Sequence, residues 1–303
     1  MRRLAFVLAA GASLSPAAQQ PAPFRVETRL VVLHATVRNA RGVEVPDLDE
    51  RAFRVYENGK SQRITLFRRD DIPVSVGLLI DNSGSMRTLR GRVEAAALDF
   101  VRASNPLDEA FVLNFADKPR IDVPLTSDIR TLEAGIARVD SIGGTALRDA
   151  VAAAHAYLSE HAVHDRRVLL VITDGRDNAS TATIRDIERA TERTDTAVYA
   201  VGVFRDPESA DAKDGRRELD RLTQHTGGAA YYPATADALD AAVGDLARQI
   251  RNQYTIAYTP TNQTLDGTYR RIRLEARGAE PLVVRTRAGY VAAGAAAPGR
   301  SRH

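Results

Sequence analysis

The stretch that decides the fold is "LLIDNSGSM", residues 78–86. It closes the apolar run "VSVGLLI" (74–80), and an unbroken run of this length is expected of a strand covered on both faces. The run stops at Asp81, and Ser83 and Ser85 follow at alternate positions before Leu89, Val93, Ala96 and Phe100 take up helical spacing. Three oxygen-bearing side chains therefore crowd the end of a strand expected to be buried, with Asp81 itself expected to face solvent.

Outward from this point, strands and helices alternate. "AFVLNFA" reads as the next strand, with "RIDVPLT" as an edge beside it, then "SDIRTLEAGIARVD" and "GTALRDAVAAAHAYLSEH" as helices. "RRVLLVITD" is another buried strand. "TIRDIERATERT" (helix), "TAVYAVGV" (strand), "RRELDRLTQHTGG" (helix with a glycine stop) and "ADALDAAVGDLARQI" (helix) complete the run. The pattern predicts an α/β domain over 71–251, a doubly wound and mostly parallel sheet with helices on both faces. Ligands of such sheets gather beyond the carboxyl ends of the strands. Asp81, Asp174 after "LLVIT", and Thr145 behind Gly143-Gly144 are expected on that one edge. With Ser83 and Ser85 they form an all-oxygen set, which suits Mg²⁺, Mn²⁺ or Ca²⁺ better than zinc. Taken singly, each has an ordinary alternative. Asp81 to Ser85 or Thr145 would serve as helix N-caps, and Asp174-Gly175 as a plain turn.

The flanks read as β. In block 24–70, alternation through Val26, Val31, Leu33, Ala35 and Val37 precedes "FRVYENGKSQRITLF", where Asn58-Gly59 signals a two-residue hairpin. Block 252–291 carries "QYTIAYTP", "GTYRRIRLEAR" and "PLVVRTRAGY", read as three strands. Neither block closes a core unaided, so the two are expected to pack together as a small β-sandwich-like domain in which the α/β domain is an insertion.

Composition bounds the rest. The 303 residues carry 42 Lys and Arg against 39 Asp and Glu, but Arg2, Arg3, Arg300 and Arg302 sit at the termini, so the body of the chain is near neutral. With no Trp and few aromatics, nucleic-acid binding has no support. Residues 1–18, two arginines followed by an apolar stretch and small residues, have the layout of a secretory signal peptide. No later stretch is apolar enough to span a membrane. The chain has no Cys, which excludes disulfides, thiol chemistry and an N-terminal lipid anchor. An exported protein, periplasmic or secreted and not a lipoprotein, is expected, with 292–303 as a disordered tail. Asn178-Ala-Ser and Asn262-Gln-Thr fit glycosylation sequons.

Asp81-Asn-Ser83-Gly-Ser85, Gly144-Thr145 and Thr173-Asp174-Gly175, in this order and these strand contexts, resemble the metal-ion-dependent adhesion site of von Willebrand factor type A domains. The flanks are similar to those of bacterial exported proteins related to that family. The resemblance implies that Ser83, Ser85 and Thr145 coordinate a divalent ion, directly or through water, and that Asp81 and Asp174 hold it from behind. An open position on the ion would then take a carboxylate from a partner protein. Few direct charges keep such an ion electrophilic, which accounts for serines where acids would otherwise stand. The rival readings are a structural envelope module with an incidental metal, or a phosphatase with Asp81 as nucleophile. Against an enzyme, Ser83 stands where an aspartate phosphatase wants a second acid, and P-loop, H-E-x-x-H and G-x-S-x-G patterns are absent. The histidines, His155, His161 and His164 among them, suggest no ligand set.

Overall fold

The computed structural model describes residues 30–69, 71–137 and 142–293. The expected signal segment and all but the first two residues of the expected tail lie outside them. The chain opens with strand β1 (Val31–Asn39), the hairpin β2 (Phe53–Glu57) and β3 (Lys60–Gln62), and β4 (Ile64–Arg68). Asn58 and Gly59 turn the hairpin with φ of 47° and 82°, the left-handed pair that a tight two-residue turn requires.

Strand β5 (Ser75–Asp81) follows, then α1 (Arg90–Ala103), β6 (Glu109–Phe115), β7 (Pro119–Thr126), α2 (Ile129–Ile136) and α3 (Leu147–His161). The domain continues through β8 (Arg167–Thr173), α4 (Ile184–Arg193), β9 (Thr196–Gly202), α5 (Ala210–Gln224), β10 (Ala230–Tyr231) and α6 (Ala236–Arg251). The sheet order is β10-β9-β8-β5-β6-β7, parallel except for the antiparallel edge β7. All seven residues of central β5 are buried. Its side chains alternate between two cores: Val76, Leu78 and Ile80 pack with α1, α2 and α6, while Leu79 packs with α3, α4 and α5. Helix α5 starts six residues before the segment read as helical, at a Ser209 cap whose hydroxyl accepts from Ala212 N. The short edge β10 had no separate sequence signal.

The chain ends in β11 (Tyr254–Tyr258), β12 (Tyr269–Ala276), β13 (Leu282–Arg285) and β14 (Gly289–Val291). Flank strands pair across the chain in two antiparallel sheets, β13-β1-β11-β4 and β14-β12-β2-β3. Leu33 and Ile256 of one sheet share a core with Phe53, Val55 and Ile272 of the other. The alternating burial of β12 fixes its register, since a one-residue slip would expose that inner face. Two corrections follow. "PLVVRTRAGY" is two strands in different sheets, and β4 leaves its hairpin to join β11. Buried inside this layer, Glu57 accepts from the Tyr258 and Tyr290 hydroxyls at 2.8 and 2.9 Å and lies 3.4 Å from Arg270.

Among the described residues no helix is long and apolar enough to cross a membrane.

Candidate functional site

The carboxyl ends of β5 and β8 are adjacent, and three loops meet above them. Asp81 is not at a solvent-facing end: it is fully buried. β5 is the central strand, flanked by β6 and β8, and its ladder extends one step further through Asn82 N–H to Phe115 O at 2.7 Å. Asp81 Oδ1 accepts from Ser83 N at 2.8 Å, and Oδ2 accepts from the Thr173 hydroxyl at 2.6 Å. Burial pushes the carboxyl up to about 6, against the opposing help of Ser83 and Thr173; the charge of Asp174 adds to the rise.

The hydroxyls are not spent on capping. Ser83 occupies the N-cap position of a single 3-10 turn (Gly84–Thr88) without a side-chain cap bond. Its Oγ lies 3.1 Å from that of Ser85. Helix α3 begins after Thr145, yet its first N–H groups are served from another loop: Arg148 N by Asp177 at 2.8 Å and Asp149 N by Ser180 Oγ at 3.0 Å. Among the described residues the Thr145 hydroxyl makes no hydrogen bond, while its backbone N–H donates to Asn178 Oδ1 at 2.8 Å. Ser85, Thr145 and Asp174 line one cleft of about 310 Å³ together with Phe204, Arg205 and Asp211. The structure thus gathers the five candidates at one edge, with Ser85, Thr145 and Asp174 on the cleft and Asp81 beneath.

Residues that the sequence reading left out hold the loops in register. Asp117, in the β6–β7 turn, accepts from Gly144 N at 2.7 Å, and Gly84 N donates to Gly143 O at 3.2 Å. A Cβ on Gly144 would stand 2.5 Å from Asn178 Oδ1 and would push it off the Thr145 N–H that it accepts from. Asp149 accepts in turn from Thr181 and Ala182 N–H, and Arg148 bridges Asp177 at 3.1 Å and Glu218 at 3.2 Å. Asn178, read as part of a sequon, is a loop fastener. No local pattern marks these partners, because each bond joins residues far apart in the sequence, from 27 residues between Asp117 and Gly144 upward.

Among the described residues no three His, Asp or Glu side chains cluster as a metal site would; an oxygen set with two carboxylates and three hydroxyls falls outside such a cluster.

Residues 76–176 match the family model described as von Willebrand factor type A domain. No curated protein sequence matches the chain. Among solved structures it resembles a von Willebrand factor type A protein from Catenulispora acidiphila at 14% identity and TM-score 0.50, over 88% of this chain and 75% of that one. It also resembles the pilus adhesin SpaC from Lactobacillus rhamnosus GG (open conformation) at 11% and 0.51, over 81% and 49%. Proximal thread matrix protein 1 from the mussel byssus, with a zinc-occupied MIDAS motif, matches at 17% and 0.52, over 64% and 50%. At such identities the likeness speaks for the fold alone. Fold, strand order and family model agree: the α/β part has the fold of von Willebrand factor type A domains, and residues 76–176 carry the match to that family.

Proposed function

We propose that the cleft holds a divalent cation, Mg²⁺ before Mn²⁺ or Ca²⁺, on Ser83, Ser85 and Thr145, with Asp81 and Asp174 behind it. In this reading the ion captures a carboxylate of a partner protein. The observation that carries this is the set of hydroxyls freed from capping above a buried carboxylate. Neighbouring oxygens around Mg²⁺, at about 2.1 Å from the ion, stand about 3 Å apart, and the two serine oxygens are 3.1 Å apart. The donor set therefore fits. When bound, the cation supplies an electrophilic position for an incoming carboxylate. Of the two arginines on the cleft, Arg176 is paired with Asp211 at 2.6 Å and Arg205 donates to the neutral Thr88 hydroxyl at 2.9 Å. With Asp174, Asp206 and Asp211 also lining it, the attraction for a partner's carboxylate would come from the ion rather than from the cleft's own charge. The zinc-occupied motif of the mussel protein supports a divalent ion at this place in the fold.

A binding role fits better than an enzymatic one. A phosphoryl-accepting aspartate must be reachable by its substrate, whereas both oxygens of Asp81 are buried and hydrogen-bonded. The same reading takes 71–251 as the recognition domain, carried by a sandwich built from the flanks in an exported protein.

The test immobilises the protein and passes envelope extract over it in Mg²⁺ and again in chelator. A partner should be retained only in Mg²⁺, and Thr145→Ala should lose it. Equal retention in chelator would shift the contact to the sandwich and end the metal-dependent reading.

A further inference from the structure

A second site lies at the opposite end of the sheet, where the α/β domain meets the flank strands. Arg166, just before β8, is only 2% exposed. Its Nη2 donates to Gln253 Oε1 at 2.6 Å, while Nε and Nη1 have no partner among the described residues. It lines a small cavity with His34, Arg167, Asp195, Gln253 and Arg287. The Nε atoms of Arg167 and Arg287 are also buried without partners among those residues.

Arg166 has no direct counter-charge here. Arg287 pairs with Asp195 at 3.3 Å, and neither Arg166 nor Arg167 has an ion pair among the described residues. The carboxylates that bear on Arg166 from further off are engaged elsewhere: Asp108 accepts from the Val74 and Asn105 N–H groups, and Asp71 pairs with Arg251 at 2.9 Å. Tyr199, which accepts from Gln253 Nε2 at 2.7 Å, is pushed up to about 12 by burial and brings no negative charge. Burial likewise lowers His34 to about 4 and keeps it neutral near pH 7. Burying a guanidinium without a counter-charge is costly, and a water molecule would satisfy its N–H groups without neutralising it. The cavity measures about 10 Å³, close to the least that holds a single small body, and so suits a monatomic anion better than phosphate, sulfate or a carboxylate.

We propose that this cavity binds a single small monovalent anion, a halide, held by Arg166, Arg167 and Arg287. The anion joins β1 and the β13–β14 connection to the start of β8, and so fastens the sandwich to the recognition domain. The site is independent of the metal reading at the other end of the sheet.

The test uses the full chain at constant ionic strength, with sodium bromide or chloride exchanged against sodium gluconate. Above the dissociation constant, each tenfold rise in halide should multiply the folding equilibrium constant tenfold, about 3–5 °C in melting temperature. Arg166→Met should abolish that dependence. Crystals grown in bromide should show an anomalous peak between Arg166 and Arg287, a result that stands even if the variant fails to fold. Melting that is identical in halide and gluconate, or a cavity holding only water in bromide, overturns the proposal.

Discussion

Replacing Asp81 by Asn separates what the site costs the fold from what it does. A buried carboxyl held at about 6 against an ordinary value of 3.8 costs roughly 3 kcal/mol when ionised in the metal-free protein. The sign follows from the direction. An acid raised on folding stabilises the fold while protonated, so the contribution is complete below about pH 4 and is lost as pH rises through 6. Asn keeps the shape and still accepts from Ser83 N–H. Its amide group meets the Thr173 hydroxyl, which must then turn its proton elsewhere, a loss of about 1 kcal/mol. In chelator, Asp81→Asn should therefore be about 2 kcal/mol more stable than wild type at pH 7.5 and about 1 kcal/mol less stable at pH 4. Urea titrations at the two pH values measure this directly. Adding Mg²⁺ at pH 7.5 should reverse the order, because only the wild type gains binding energy. Wild-type affinity for Mg²⁺ should drop about tenfold at pH 5, where the proton competes for Asp81. If the variant keeps the Mg²⁺-induced gain, or is destabilised equally at every pH, Asp81 is a structural brace and the reasoning fails.

Two further outcomes are expected. His155 is buried, its Nε2 has no partner among the described residues, and burial lowers it to about 4; its roughly 3 kcal/mol of stability is present above pH 6.5 and lost as pH falls through 4, so His155→Leu should flatten acid unfolding while changing little at pH 7.5. Arg270→Met should cost about 3–5 kcal/mol in urea unfolding by stranding the buried Glu57, and the added Glu57→Gln should recover much of it; a single-variant loss under about 1 kcal/mol would show that the tyrosine hydroxyls alone suffice.

What the sequence made legible was whatever local chemistry forces. The apolar runs that became β5 and β8 stop at Asp81 and at Thr173-Asp174, and a two-residue Asn-Gly turn has one geometry compatible with strand twist. What stayed hidden depends on contacts distant in sequence. "PLVVRTRAGY" reads as one strand, yet its middle is pinned against the turn after α5: Ala288 N–H donates to His225 O at 3.2 Å, and a Cβ on Gly227 would lie 2.6 Å from Thr286. That contact, absent from any local pattern, splits the run between two sheets. The burial of Asp81 was hidden for a similar reason. Alternation locates the end of a strand, but only the sheet order shows that this strand is central and that its neighbours cover its end.

That burial bears on why hydroxyls stand where acids would bind a cation more tightly. Asp81 is tolerated because Ser83 N–H and the Thr173 hydroxyl each take one of its oxygens, and its proton leaves only near pH 6. A second carboxylate at Ser83 would lie in the same dry loop junction, raising the repulsion that Asp174 already contributes. The metal-free fold would weaken. The bound ion would also be closer to neutral, and so a poorer target for a partner's carboxylate. Ser83→Asp should therefore bind Mg²⁺ more tightly in calorimetry while retaining less partner in the same buffer. A variant that gains in both would show that the charge left on the ion is not what captures the partner.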